Sequence, residues 1–495
     1  MLKQSILNAQ NFTRTENNAL TNVSTKSAVL DLFALGGAVQ KSSNIDLELL
    51  IRDALFENER LALKVIFYLS DIREGQGRRD FFRLALLEVI NYNIKVAEQL
   101  LSYIPEFGRW DYLYWFINTP LERAAFKVFA AEVERAVDNK EASLVFKWLA
   151  SEDASSKETI HNAKLTRKYF GLTAREYRKL LSWGRKELGN AVVERKMSAN
   201  EWLSIDYSRV PSVAMKNYRK AFERHNPDHF ESFISDVKSG KTKINSSVLY
   251  PSDIARADDQ SHGLSRDALV EQWKALPNYL SENVRALAVV DTSGSMTWGS
   301  NPIPIDVATA LGVYLGERIV GEFNNTVISF SAQAKLIELQ GKDALQKIQY
   351  LKRKSINENT NLQSVFALLL DTARQHSVPA SEMPNRIIII SDMEFDRATS
   401  GWNWRDGQHN NTTNLEAIKQ KYELSGYEFP QIIFWNVEAR NQQVAATVNE
   451  SGVILVSGYS PVIMKSVLSD EPYITPYKAM LHTVDVPRYS FIDKL

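Results

Sequence analysis

The segment Asp291-Thr-Ser293-Gly-Ser295 contains the residues of this chain that are best placed to bind a metal ion. It directly follows the apolar run 286–290, which has the composition of a buried strand. Alternate side chains of an extended segment project to the same side, so Asp291, Ser293 and Ser295 are expected to converge. One carboxylate and two hydroxyls are hard oxygen ligands, which favour Mg²⁺ or another divalent cation of that kind over a soft metal.

Two further loops provide additional oxygen ligands. Thr360 lies in a polar loop before the amphipathic stretch 362–373, and Asp392 follows the apolar run 387–390. If the loops meet, the site would contain two carboxylates and three hydroxyls. Those ligands are too few for a closed cage, so water or an acidic group of a partner would complete the coordination.

An alternative explanation needs no metal. Asp and Ser also favour turns and helix N-caps, and the first loop precedes a helical pattern that begins at Ile305. The separate positions of Thr360 and Asp392, each at the end of an apolar run or before a helix, favour the metal site over the turn.

Residues 280–495 have the pattern of a doubly wound, Rossmann-like α/β domain. Short β-branched runs alternate with amphipathic stretches such as 305–319, which predicts a parallel sheet covered by helices on both faces. Ligands of such sheets bind beyond the carboxyl ends of the strands. The predicted strands are 286–290, 327–330, 387–390, 432–435 and 453–456.

Residues 1–275 have helical periodicity almost throughout, and no long period-two alternation predicts a sheet there. A stack of antiparallel helix pairs, of the HEAT-like repeat type, is the expected architecture. The polar segment 245–278 is interpreted as a connector or docking segment. Predicted helices include 61–69, 81–90, 96–103, 121–140 and 173–188.

Basic residues are concentrated in segment 157–224, although the whole chain has 59 Lys and Arg against 59 Asp and Glu. The segment has sixteen positive and seven negative residues, a net charge of +9, and contains interleaved aromatic residues that suit binding to single-stranded RNA. A solvated helix face with core aromatics is the alternative. The candidate RNA-binding residues are Arg167, Lys168, Arg185, Lys186, Lys216, Arg219, Lys220 and Arg224. Arg78, Arg79 and Arg83 are interpreted as a solvated helix face rather than as phosphate ligands.

The three loops resemble the metal-ion-dependent adhesion site (MIDAS) of von Willebrand factor A (vWA) domains. By that resemblance Asp291, Ser293, Ser295, Thr360 and Asp392 are the metal residues, with Asp392 acting through water. The family often has glycines just before the threonine, where this chain has Asn359. The resemblance implies a site that binds ligands and does not catalyse.

A helical-repeat module followed by a vWA domain resembles the layout of Ro ribonucleoproteins, whose repeat module (TROVE) forms a ring that binds RNA. The passages 68–79 and 105–111 resemble that module. The passages 204–222 and 239–241 resemble more closely a family of unknown function, found in plants and in viruses of bacteria, that has the same two halves.

These observations predict a non-catalytic, cytoplasmic RNA-binding protein that also binds Mg²⁺. Its expected partners are a small non-coding or structured RNA, held with low sequence specificity, and an acidic protein ligand at the metal site. A metal-dependent protein–protein interaction scaffold without RNA is the alternative. An Asp291 nucleophile of the Asp-x-Asp phosphatase type is disfavoured, because position 293 is Ser. The chain has no cysteine, which excludes disulfides and thiol catalysis, and no apolar run long enough for a membrane span.

Overall fold

The fold is mixed α/β, with a helical N-terminal region and a six-stranded mixed sheet in the C-terminal region. The computed structural model describes residues 11–258, 263–280, 285–299, 301–329, 334–354, 360–396, 413–467 and 474–495. No helix in these described ranges is long and apolar enough to cross a membrane.

Short polar residues begin many of the N-terminal helices. Asp46, Asn58 and Asn93 each accept a backbone N–H of the first turn, and Thr173 forms a capping box with Glu176. The α-helices of this region are Ala28–Gly36, Leu47–Glu57, Glu59–Ser70, Arg79–Tyr92, Ile94–Leu100, Ile104–Phe107, Glu122–Asp138, Val145–Trp148, Lys157–Tyr169, Ala174–Glu187, Val193–Ser198, Ser212–His225, Pro227–Lys238, Pro251–Ala257 and Gly263–Lys274. Short 3₁₀ helices occur at Trp110–Phe116, Gly189–Val192, Trp202–Ser204 and Tyr207–Arg209.

The large sheet is built mainly from strands that are buried on both faces, as their apolar composition predicts. Its order is β5-β4-β3-β6-β7-β8, and all neighbours are parallel except β5, which pairs antiparallel with β4. The strands are β3 (Ala286–Val290), β4 (Thr326–Ser329), β5 (Lys335–Glu338), β6 (Arg386–Ser391), β7 (Gln431–Asn436) and β8 (Val453–Ser457).

Helices lie between and after these strands. The α-helices are Pro304–Gly316, Ala344–Lys354, Leu362–His376, Asn414–Ser425, Met464–Val467 and Pro476–Val484, and 3₁₀ helices occur at Gly294–Thr297, Ala380–Glu382, Pro461–Ile463 and Pro487–Lys494. The alternation of strands and helices in this region is therefore confirmed. The all-parallel prediction is wrong at β5, an exposed edge strand whose short, partly charged sequence lacks the apolar signal.

One prediction for the N-terminal half also needs correction. β1 (Phe12–Arg14) and β2 (Leu20–Asn22) form a small antiparallel pair where no sheet was expected, because three-residue strands leave no periodic signal. The segment 245–278, interpreted as a connector or docking segment, contains the helices Pro251–Ala257 and Gly263–Lys274. The first of these packs against the helix Pro304–Gly316 of the sheet region.

Many contacts join the helical region to the sheet region. The hydroxyl of Ser457, at the end of β8, donates to the carbonyl of Phe33 at 2.8 Å. The buried carboxylate of Asp71 accepts hydrogen bonds from Arg488, and Lys64 forms ion pairs with Asp485 and Asp493 at 2.6 and 2.9 Å. One hydrophobic core accordingly contains residues from both regions, and a smaller core is built around Tyr207 and Phe222. The boundary between residues 275 and 280 stays a prediction.

Candidate metal centre

The two central strands bring Asp291 and Asp392 to the same edge of the sheet. β3 and β6 pair in register, with Val290 opposite Ile390, and the N–H of Asp291 donates to the carbonyl of Ile390 at 2.9 Å. Asp291 follows β3 directly, and Asp392 follows β6 directly. Asp291 is 0% exposed and Asp392 is 1% exposed, so both carboxyl groups are isolated from bulk water.

The loop after β3 turns back on Asp291 and places the two serines together. The N–H of Ser293 donates to Oδ1 of Asp291 at 2.9 Å, and the hydroxyls of Ser293 and Ser295 lie 3.0 Å apart. This arrangement agrees with the convergence expected from the Asp-x-Ser-x-Ser spacing. The loop then continues as the 3₁₀ helix Gly294–Thr297.

The structure adds Ser391 to the site, a residue that the sequence analysis missed. Its hydroxyl donates to Oδ2 of Asp291 at 2.5 Å and accepts the N–H of Met393 at 2.9 Å. Ser391 thus orients Asp291 and shapes the turn after β6, where Met393 adopts a left-handed φ of 67°. A polar residue directly before Asp392 at a strand end was the available signal.

Thr360 and Asp392 contain buried oxygen atoms without hydrogen-bond partners. Thr360 is 0% exposed, and neither its Oγ1 nor Oδ2 of Asp392 has a hydrogen-bond partner among the described residues. The carbonyl of Thr360 accepts the N–H of Asp396 at 2.9 Å, so the second loop is tied to the loop that follows Asp392. A buried polar group without a partner costs about 1–3 kcal/mol, and such groups are rare unless they have a function.

The environment of the two carboxyl groups disfavours their charged forms and raises the pKa of both. Burial raises the pKa of Asp392 to about 8, and the nearby charge of Asp291 adds to the increase. Burial also raises the pKa of Asp291, which hydrogen bonds from Ser391 and Ser293 lower only in part. Two buried carboxylates whose charges repel each other favour the uptake of a proton or a cation.

The oxygen atoms of these side chains have the chemistry of ligands for a hard divalent cation. The described residues contain no group of three or more His, Asp or Glu side chains arranged to hold a metal. The candidate ligands at this edge are instead two carboxylates and three hydroxyls, all oxygen, which suits Mg²⁺ more than zinc.

Arg440 borders the site and could not have been found from the sequence. Its guanidinium lies 3.6 Å from Oδ2 of Asp392 and donates to the carbonyl of Ser295 and, at 3.4 Å, to that of Trp298. It also stacks over the Trp298 ring at 4.0 Å and pairs with Glu438 at 3.2 Å. The distance to Asp392 is too long for a hydrogen bond, so Arg440 neutralises the carboxylate only in part.

The structure divides the predicted RNA-binding residues into two groups. Arg219 is 6% exposed and donates to the carbonyls of Lys216 and Ala257, each at 2.5 Å. This finding overturns the assignment of Arg219 to an RNA surface, because its guanidinium lies in the interior. The guanidinium of Arg185 donates to the carbonyls of Phe146 and Leu149 at 3.1 and 2.9 Å.

Two more of these residues form ion pairs within the chain. Arg167 donates to Glu152 at 2.8 Å, and Lys216, whose side chain is 17% exposed, lies 3.7 Å from Asp253. The remaining members of the set are exposed: Lys168, Lys186, Lys220 and Arg224.

Comparison with known proteins finds relatives without an established function. Residues 285–483 match a family described as a domain of unknown function (DUF7788). Residues 15–90 and 141–285 match a second family of the same description (DUF2828). Over 522 aligned positions the chain is 26% identical to "Uncharacterized protein L728" of Acanthamoeba polyphaga mimivirus, with 96% of this chain and 87% of the viral protein covered.

Proposed function

We propose that this chain is a non-catalytic binding protein whose C-terminal region is a vWA-like domain with a Mg²⁺-dependent ligand site. Asp291, Ser293, Ser295, Thr360 and Asp392 would hold the cation. The observation that carries the proposal is the pair of buried, unpartnered oxygens on Thr360 and Asp392 beside a second buried carboxylate. A cation at this edge would give both oxygens a partner and would offset the charge of the two carboxylates.

The bound cation would supply positive charge and coordination positions that the chain leaves open. An acidic side chain of a protein partner fits such positions, because a carboxylate is a hard ligand with the complementary charge. Catalysis is not part of the proposal, because position 293 is a serine where a second carboxylate would be needed next to an Asp291 nucleophile.

Calorimetric titration of Mg²⁺ into the chelator-treated full chain tests this proposal. The wild type is expected to bind one ion, and Asp392→Asn, which preserves the shape of the side chain, is expected to bind at least tenfold more weakly. Asp31→Asn is the matched control, because Asp31 is also a buried carboxyl, 4% exposed, and lies on a helix of the N-terminal region. Equal Mg²⁺ binding by wild type and Asp392→Asn would contradict the proposal.

RNA binding by the helical region, in a Ro-like layout, is the second candidate function. It is supported by the +9 charge of segment 157–224 and by the exposure of Lys168, Lys186, Lys220 and Arg224. Phosphate contacts by such side chains would give affinity with little sequence readout. Ultraviolet cross-linking in the host, followed by sequencing, should recover a defined set of RNAs that charge reversal of these four residues reduces. Recovery of background RNA alone would contradict it.

A further inference from the structure

A polar cleft in the helical region has the dimensions of a small-molecule site. Its volume is about 610 Å³, within the range of about 300–1,000 Å³ that is typical of ligand pockets. The walls come from the helices Arg79–Tyr92, Val145–Trp148, Lys157–Tyr169 and Ala174–Glu187 and from the 3₁₀ helix Trp110–Phe116. It is thus formed by elements from a long stretch of chain that the fold brings together.

The cleft has an excess of positive charge. Four cationic side chains line it, against two carboxylates. One of these, Asp111, is already neutralised, since Arg109 donates to it at 2.8 Å and Arg79 lies 3.7 Å away. Arg83 is exposed, and its side chain makes no hydrogen bond or ion pair among the described residues. The cationic residues are Arg79, Arg83, Lys147 and Arg185.

The positions of two of these cations are restrained by the fold. The guanidinium of Arg185 is held by the carbonyls of Phe146 and Leu149. Arg79 lies over the rings of Tyr112 and Trp115 at 5.4 and 5.8 Å. Restrained guanidinium groups bind phosphate well, because less side-chain freedom is lost when the ligand arrives.

Aromatic rings lie in the same cleft. The half-buried indoles of Trp115 and Trp148 both line it, and Arg109 stacks over Trp148 at 4.1 Å. Base–aromatic stacking contributes about 1–3 kcal/mol per base, and it accompanies phosphate contacts wherever unpaired nucleotides are bound. Cations alone would suit any anion, but cations together with indoles favour a ligand with a phosphate and a flat ring.

We propose that this cleft binds a nucleotide, with its phosphate at Arg79 and Arg83 and its base against Trp148. The nucleotide comes either free, as a nucleoside monophosphate, or as the terminal nucleotide of an RNA strand. For the second source the inference rests on the RNA-binding function proposed above, and for the first source it does not. From the sequence, Arg79 and Arg83 are interpreted as part of a solvated helix face. That interpretation does not consider the cleft, which both residues line.

The test uses the full chain and four probes. AMP, adenosine and inorganic phosphate are titrated by calorimetry, and a labelled ten-nucleotide RNA with a 5′-phosphate is titrated by fluorescence anisotropy. AMP or the RNA is expected to bind at least about tenfold more tightly than adenosine or phosphate, because only these probes have both recognised groups. Tighter binding of AMP identifies a free nucleotide as the source, and tighter binding of the RNA identifies a strand end.

The variants separate this cleft from other basic surfaces. Arg83→Gln and Trp148→Leu are each expected to weaken binding roughly tenfold, whereas Trp148→Phe retains most of it. Arg83→Gln removes no hydrogen bond or ion pair of the described residues, so this variant is expected to fold. It therefore tests the proposal even if Trp148→Leu is unstable. Arg60→Gln is the matched control, because Arg60 is an exposed arginine that does not line the cleft.

Two results would overturn the inference. If AMP and the RNA bind no better than phosphate, the cleft is a general anion site. If Lys220→Gln and Arg224→Gln weaken RNA binding and Arg83→Gln does not, the RNA function stands and the cleft proposal fails. If Arg83→Gln weakens AMP while no RNA binds, the cleft proposal stands and the RNA function fails.

Discussion

The edge of the sheet at Asp291 and the basic segment 157–224 use polar residues in opposite ways. At the sheet edge, Thr360 and Asp392 have buried oxygens without a hydrogen-bond partner in the described chain, and only the longer contact from Arg440, at 3.6 Å, reaches Asp392. In the basic segment, Arg185 and Arg219 have their guanidinium groups bonded to backbone carbonyls of the chain itself. A count of charges therefore overstates the surface available to a ligand, whereas two such oxygens beside the second buried carboxylate of Asp291 indicate a place where a cation would be stabilised.

The largest effect expected from this comparison is on stability. Arg219→Met should lower the free energy of unfolding by about 2–4 kcal/mol, because it leaves the carbonyls of Lys216 and Ala257 without their charged donor. Lys186→Met, at an exposed position, should change it by less than about 0.5 kcal/mol. Urea unfolding measures both. Equal midpoints for the two variants would show that Arg219 has no structural role.

The sheet edge should respond to pH. Burial and the charge of Asp291 raise the pKa of Asp392, so in the absence of a cation the pair of carboxyl groups favours a bound proton, which must leave before Mg²⁺ can bind. The apparent Mg²⁺ affinity should therefore fall as the pH decreases, by up to roughly tenfold per pH unit for one displaced proton. Calorimetry at pH 6, 7 and 8 measures the slope, and a flat profile would contradict the coupling.

The exposed basic residues should give a smaller effect, visible as a change in salt dependence. With single-stranded RNA, each phosphate contact contributes roughly 0.7 to the slope of log affinity against log salt. Replacing all four exposed residues with Gln should reduce that slope by up to about 3. The four are Lys168, Lys186, Lys220 and Arg224.

Four exposed cations outside the basic segment provide the matched control for this measurement. A variant with Gln at Arg60, Lys95, Lys127 and Lys140 removes the same amount of charge from a different surface. Fluorescence anisotropy with a labelled RNA, between 50 and 300 mM KCl, compares the two variants. The same slope for both variants would show that RNA binding depends on the total charge of the protein and not on the surface that carries it.

Local patterns predicted much of the fold and most of the candidate site. Buried strands have continuous apolar sequences, so β3 was predicted to the residue, and the spacing of Asp291, Ser293 and Ser295 placed their side chains together. The helix predicted over 96–103 ends earlier, at Leu100. The apolar run of β3 and the Asp-x-Ser-x-Ser spacing depend on residues that are neighbours in the sequence, so a single sequence can show them.

The remaining features depend on residues that are distant in sequence. Arg440 reaches the carbonyl of Ser295 across 145 positions, and Arg219 is buried because Ala257 accepts its hydrogen bond. Nothing in the composition of segment 157–224 distinguishes Arg219 from Lys220. Burial of a charged side chain is decided by which tertiary partner the fold brings to it, and a single sequence does not show that partner.

Thermal unfolding of Thr360→Val, with Mg²⁺ and with chelator, tests the central claim most directly. Valine preserves the shape of threonine and replaces only Oγ1, which has no hydrogen-bond partner in the described chain, with a methyl group. In chelator the variant should be at least as stable as the wild type, because a buried unsatisfied hydroxyl has been removed. With Mg²⁺ at about 100 times its Kd, the wild type should gain about 2.7 kcal/mol and the variant much less.

Thr483→Val is the control for this measurement, since the hydroxyl of Thr483 is also buried but donates to the carbonyl of Ala479 at 2.9 Å. It should lose about 1 kcal/mol in both buffers and keep the full Mg²⁺ gain. The account predicts opposite behaviour for the two threonines. A Thr360→Val variant that is destabilised in chelator like Thr483→Val, and stabilised by Mg²⁺ like the wild type, would contradict the metal centre.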